Sequence, residues 1–97
     1  MRNAMIIDPM DDVAVAIEPI SKGETAEYQC NEKTITLTAA EDIPIYHKIA
    51  VREIPKGAPV TKYGEHIGLA ACDIRPGEHV HEHNVMSHRE DLDRKQV

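Results

Sequence analysis

The sequence predicts a mostly β domain with short turns and little helix. Three observations carry that reading. Short segments rich in aliphatic and β-branched residues alternate apolar and polar positions, as strands with one buried face do. Turn residues punctuate these segments in a repeated pattern. The core, finally, must be aliphatic, because Phe and Trp are absent and Tyr28, Tyr46 and Tyr63 are the only aromatic residues in a chain that is 41% hydrophobic. At 97 residues the chain makes one domain, burying roughly 60–70% of the surface it exposes when unfolded.

Taken in order, the candidate strands are about Ala4–Ile7, Val13–Ile17, Thr25–Cys30, Lys33–Leu37, Lys48–Arg52, Val60–Tyr63, Ile67–Cys72 and His79–His83. Asn31-Glu32, between the third and fourth, has the character of a hairpin turn. Thr38-Ala-Ala-Glu41 is the one stretch that suits a single helical turn. From Ser87 the sequence is polar, with Leu92 as its only apolar residue before Val97. A lone Leu cannot dock a helix firmly, so the expected organisation is a β domain over residues 1–85 and a polar tail over 86–97.

The turn repeat reads I-x-x-G-x-x followed by a small apolar residue. It occurs at Ile20–Ala26, Ile54–Val60 and Ile74–Val80, with glycines at Gly23, Gly57 and Gly77. Ile43–Ile49 follows it too, except that Tyr46 stands where the glycine belongs. Each unit reads as a strand end, a tight turn needing positive φ, and a new strand. The units are irregularly spaced, which excludes a solenoid.

Seventeen acidic against eleven basic residues give a net charge of −6. Nucleic-acid binding, which needs a basic stripe, is excluded on that balance. No apolar run approaches the length of a membrane span, and the first residues do not form a secretory signal, so a cytoplasmic protein is expected. Cys30 and Cys72 lack CxxC spacing and read as reduced thiols.

Gly77–Asn84, "GEHVHEHN", holds three of the six histidines at alternate positions, His79, His81 and His83. On a strand they would share one face, with Val80 and Glu82 on the other. Such a row suits a transition metal or an anionic substrate, and equally an exposed His-rich edge strand. Same-face neighbours lie ~6.6 Å apart at ~3.3 Å per residue, so all three meet one ion only if the strand bends.

Three segments together carry a family resemblance: "DDVAVAI" at Asp11–Ile17, "HKIAVREIPKGAPVTKYGEHIGLAACDI" at His47–Ile74, and the histidine row. K-Y-G-x-x-I-G at Lys62–Gly68 followed by G-E-H-V-H-x-H-N at Gly77–Asn84 is the most specific combination. The chain resembles the small domain of the altronate dehydratase family, whose relatives include sulfolactate sulfo-lyase and, more distantly, galactarate dehydratase. That domain has the SAF or β-clip fold and is either fused before a large catalytic domain or made as a separate small subunit. Family members usually have Gly before the His-Lys pair, where this chain has Tyr46, so a rebuilt turn is expected ahead of His47.

The resemblance implies a small subunit of a hydro-lyase that eliminates water from a sugar acid, or sulfite from sulfolactate, with a large catalytic subunit as partner. It also implies a divalent metal, iron or manganese, shared with that subunit. On this reading His79, His81 and His83 are the metal candidates and His81 and His83 the catalytic ones. His47, Lys48, Lys62 and Asn84 are the candidates for binding a small hydroxy acid. Ordinary structural roles compete with these: Lys62 as a solvated charge, Tyr63 packed beside the Gly64 turn, Asn84 ending the strand or orienting His83. His66 and His88 are assigned no function. A non-catalytic SAF-type ligand-binding module and a free-standing metal-binding protein are the alternatives, and a subunit without its partner is expected to self-associate or to expose an apolar patch.

Overall fold

The computed structural model describes residues 2–86. It contains nine short strands and, among the described residues, no helix. These are β1 (Ala4–Met5), β2 (Val13–Ala16), β3 (Thr25–Cys30), β4 (Lys33–Thr38), β5 (Lys48–Ala50), β6 (Pro59–Lys62), β7 (Glu65–Ala70), β8 (His79–Val80) and β9 (Val85–Met86). They form an antiparallel sheet in the order β1-β2-β5-β8, the hairpin β3-β4, and a three-stranded sheet β6-β7-β9. No helix of the described residues is long and apolar enough to cross a membrane.

The hairpin of β3 and β4 turns through Asn31 and Glu32, both at positive φ (51° and 67°), the geometry that matches the twist of antiparallel strands. Tyr63 and Gly64 turn β6 into β7 in the same way, at 57° and 72°. Tyr63 therefore points outward, 53% exposed, with the Lys62 ammonium 4.4 Å from its ring. It does not pack beside the turn as expected.

The turn repeat is the organising device, and it is longer than the glycine pattern suggests. Gly23 donates its N–H to the Ala39 carbonyl and Tyr46 to that of Ala16. Gly57 donates likewise to Ala70 and Gly77 to Ala50, all four at 2.7–2.8 Å. Each of these alanines lies four residues before a repeat isoleucine, so the complete unit is A-x-x-x-I-x-x-G. Units one and two exchange turn bonds reciprocally, as do units three and four. Isolated bridges join Ile20 to Ile43 and Ile54 to Ile74. Asp42 accepts from the Lys22 N–H, and Asp73 from the Lys56 N–H, both at 2.8 Å. The two halves of the chain thus repeat one interlocked motif.

Each pair of units owns a core. Ile20 and Ile43 pack with Ala14, Ala16, Ala39, Ile49 and Tyr28. Ile54 and Ile74 pack with Val13, Ala50, Val60 and Val80. The central pair β2 and β5 sends alternate residues to the two cores, which is why its strands are buried on both faces. Asp11, 1% exposed, ties the β6–β7 hairpin to this centre by accepting from the N–H groups of Tyr63 and Gly64, both at 2.9 Å.

Three expectations need correction. The histidine strand stops at Val80, and residues 81–84 turn instead of extending to His83. Thr38 ends β4 and no helical turn follows at Ala39–Glu41. The turn before His47 keeps the shape of its three equivalents, with Tyr46 at a φ of 68° where glycines adopt 85–90°. The expected tail lies, from Ser87 onward, outside the described residues, and His88 with it.

Candidate functional site

Register decides which histidines meet. His79 pairs with Ile49 across β5 and β8, and Val80 with Lys48. Residues opposite one another share a face, so His79 stands on the face of Ile49, and His47, two residues before Ile49, stands there too. The His47 Nδ1 and His79 Nε2 atoms are 2.8 Å apart, one donating and the other accepting. His81, just past the end of β8, stacks on His47 with ring centroids 4.3 Å apart and planes 19° from parallel. His79 and His81 are 5.6 Å apart.

One nitrogen each from His47, His79 and His81 can be chosen so that all lie within 4.8 Å of one another. Nitrogens bound to one ion at about 2.0–2.1 Å stand about 2.9–3.3 Å apart, so small side-chain rotations close the set around a cation. Neutral imidazoles suit zinc, iron, manganese or nickel. His83 is outside this group; its ring is tilted against that of His79 at 5.2 Å, and its side chain is exposed. Burial, then the neighbouring His47, His83 and His81, lowers the His79 pKa below the ordinary imidazole value, while Glu41 opposes the shift. An imidazole that resists protonation, as His79 does, keeps its lone pair available.

Asn84 holds the bend. It is 5% exposed, accepts from the His81 N–H at 3.0 Å and donates from Nδ2 to the His79 carbonyl at 2.8 Å. With its own N–H on the His81 carbonyl, it fixes His79 and His81 at one end of the sheet. Both ends of its amide are spent on backbone, so it shapes the histidine cluster from within.

Lys48 opens onto the opposite face, where a pocket of about 270 Å³ is lined by Lys48, Lys62, Ile67, His81, Glu82 and Val85. His81 sits at the strand end where the two faces meet. It therefore belongs to both the imidazole cluster and the lysine pocket. Burial, then the Lys62 ammonium, pushes Lys48 below the ordinary lysine range, and an anion placed between the two would relieve that repulsion. His66 lies in β7 and is exposed. Cys30 and Cys72 are free thiols.

An all-β domain of short strands in small antiparallel sheets fits the β-clip class of the SAF type. The chain belongs to the altronate and galactarate dehydratase group of these domains: the family model "Altronate/galactarate dehydratase SAF domain" matches residues 2–88. It is 42% identical over 87 residues to the altronate dehydratase of Escherichia coli, covering 90% of this chain and 17% of that protein. It is also 34% identical over 92 residues to the altronate dehydratase of Bacillus subtilis, covering 95% and 18%. The chain thus spans less than a fifth of the length of these two relatives. The (2R)-sulfolactate sulfo-lyase subunit alpha of Chromohalobacter salexigens is 34% identical over 88 residues, with 87% of this chain and 94% of that subunit covered.

Two contributors were not legible in the sequence. His47 stands out in the sequence only as a substrate-binding candidate, since it lies 32 residues from His79 and only the β5–β8 register joins them. Glu41, which the sequence offers only as the end of a possible helical turn, accepts at Oε1 from the His79 N–H at 2.9 Å, 38 residues away. No local pattern marks either one.

Proposed function

We propose that the chain is the small part of a metal-dependent lyase performing β-elimination on a 2-hydroxy carboxylate. It would dehydrate an altronate-type sugar acid or release sulfite from sulfolactate, working in the cytoplasm with a large catalytic subunit. The observation that supports this best is the convergence of His47, His79 and His81 beside a pocket carrying Lys48 and Lys62, in a chain of this family.

In such an elimination a base takes the proton from the carbon bearing the carboxylate. The bond from the next carbon to hydroxyl or sulfite breaks with its electron pair, and the double bond formed tautomerises to a 2-oxo acid. Negative charge grows on the carboxylate as the proton leaves, so fixed cations nearby lower the barrier. Lys48 and Lys62 fill that role by pairing with the carboxylate. His47, His79 and His81 would hold the divalent ion, iron or manganese, together with the large subunit, and that ion would supply Lewis-acid polarisation of substrate oxygens. An imidazole nitrogen on a metal cannot also deliver a proton. Of the two candidates for general acid to a leaving hydroxyl, His81 and His83, the exposed His83 is then the one left free.

The chain offers a wall of a site, and turnover should need the whole. Alone it is expected to bind divalent metal weakly and to show no lyase activity on altronate or sulfolactate. Mixed with its large subunit it should support turnover. His81→Ala or His83→Ala should each lower that turnover by about 100-fold, and His66→Ala by less than twofold. Full activity in the His81→Ala/His83→Ala double variant would overturn the assignment. Tight stoichiometric metal binding by the chain alone would instead favour a free-standing metal-binding protein.

A further inference from the structure

The histidine cluster gathers three neutral ligands and no charge of its own. A divalent cation there would keep its full +2, which is costly beside Lys48 and Lys62 unless an anion stands near. Two acidic residues of the histidine segment are poorly placed for that. Glu78 is committed to the Arg75 N–H at 2.7 Å, and Glu82 lines the lysine pocket.

Glu41 reaches the cluster from the other half of the chain. Its segment is held against the turn that precedes β8 at three successive points. The Thr38 carbonyl lies 2.3 Å from where a Cβ on Gly77 would be. Ala40 donates its N–H to the Gly77 carbonyl at 2.8 Å. The Glu41 carboxylate then takes the His79 N–H. This is the seam between the two interlocked halves, and it places a carboxylate at the head of β8.

We propose that Glu41 is the anionic partner of the histidine cluster, a positioning residue that anchors His79 and supplies the negative charge a divalent cation needs there. This rests on the reading of His47, His79 and His81 as a metal site. Glu41 acts through His79 and its field, and it carries no chemistry of the elimination itself.

The test is a titration of the isolated chain with Co2+, followed by heat and by the visible absorption of the bound ion. Glu41→Gln keeps an oxygen for the His79 N–H and removes only the charge. It should weaken Co2+ binding about tenfold, the lower end of the loss seen when groups behind metal ligands are changed, and leave the melting temperature unchanged. Added salt should weaken wild-type binding more than binding by Glu41→Gln. Glu18, equally two residues beyond its repeat alanine, is the control for net charge: Glu18→Gln should bind Co2+ as wild type does. Wild-type affinity in Glu41→Gln would overturn the proposal, as would equal losses in both variants. A wild-type chain giving neither heat nor absorption, indistinguishable from His81→Ala, would overturn the metal reading beneath it and this proposal with it.

Discussion

Tyr46 shows how one residue can depart from a pattern without changing the backbone. Three of the four equivalent turns place glycine at φ 85–90°, and Tyr46 takes 68° in the fourth. For a bulky L residue that region costs about 1–2 kcal/mol. Its ring gives nothing back within the chain, being 72% exposed. Tyr46→Gly removes the steric cost and adds about 0.5–1 kcal/mol of unfolded-state entropy, since glycine loses more freedom on folding. A net gain of about 0.5–1 kcal/mol is expected from urea denaturation. A loss would mean that the tyrosine ring contributes packing to this turn. The departure is visible in the sequence, but the preserved turn is not, because its shape depends on the bond that the Tyr46 N–H makes and not on the residue. That bond, to the Ala16 carbonyl at 2.7 Å, fixes the turn whichever residue provides it.

At the scale of elements, the glycine half of the repeat was legible and the alanine half was not. Glycine announces positive φ, whereas Ala16, Ala39, Ala50 and Ala70 contribute a backbone carbonyl and a small buried side chain, which any strand end could do. Strand positions were largely readable for the same reason: alternation reports a buried face. The β8 boundary was missed because Asn84 overrides the alternation of His79, Val80 and His81 with hydrogen bonds to backbone. Two glycines separate the demands of turn shape from those of packing. Gly57, at φ 85°, would place a Cβ in open space, while at Gly77, at φ 90°, the Cβ would meet the Thr38 carbonyl at 2.3 Å. Gly57→Ala should therefore cost about 1–2 kcal/mol, the conformational term alone. Gly77→Ala adds an overpacking term of about 1–3 kcal/mol and should cost about 2–5 kcal/mol in total. Equal denaturation midpoints for the two variants would show that the seam between the halves yields freely.

For the whole molecule, the fold class followed from composition and punctuation, but the site did not, because its members come from both halves. His47, His79 and Glu41 meet only once the two interlocked motifs are docked, and nothing in a linear pattern encodes that docking. The same division governs what the surface is expected to do. Ile20, Ile43, Ile49, Ile54 and Ile74 are at most 2% exposed and fill two small cores in which Tyr28 is the one aromatic residue. Meanwhile Ile7 is 57% exposed, Met10 70%, Ile45 40% and Tyr46 72%. Ile45 and Tyr46 directly precede His47, so this exposed apolar pair adjoins the metal candidates, as expected of a wall completed by the proposed large subunit. Isolated chain should therefore bind a dye specific for exposed apolar surface, and that signal should fall when the large subunit is added in equimolar amount. Ile45→Ser/Tyr46→Ser should reduce dye binding by the isolated chain and weaken association with the large subunit. A strictly monomeric chain that binds no dye, or a double variant that still associates as wild type does, would place the subunit contact elsewhere on the domain.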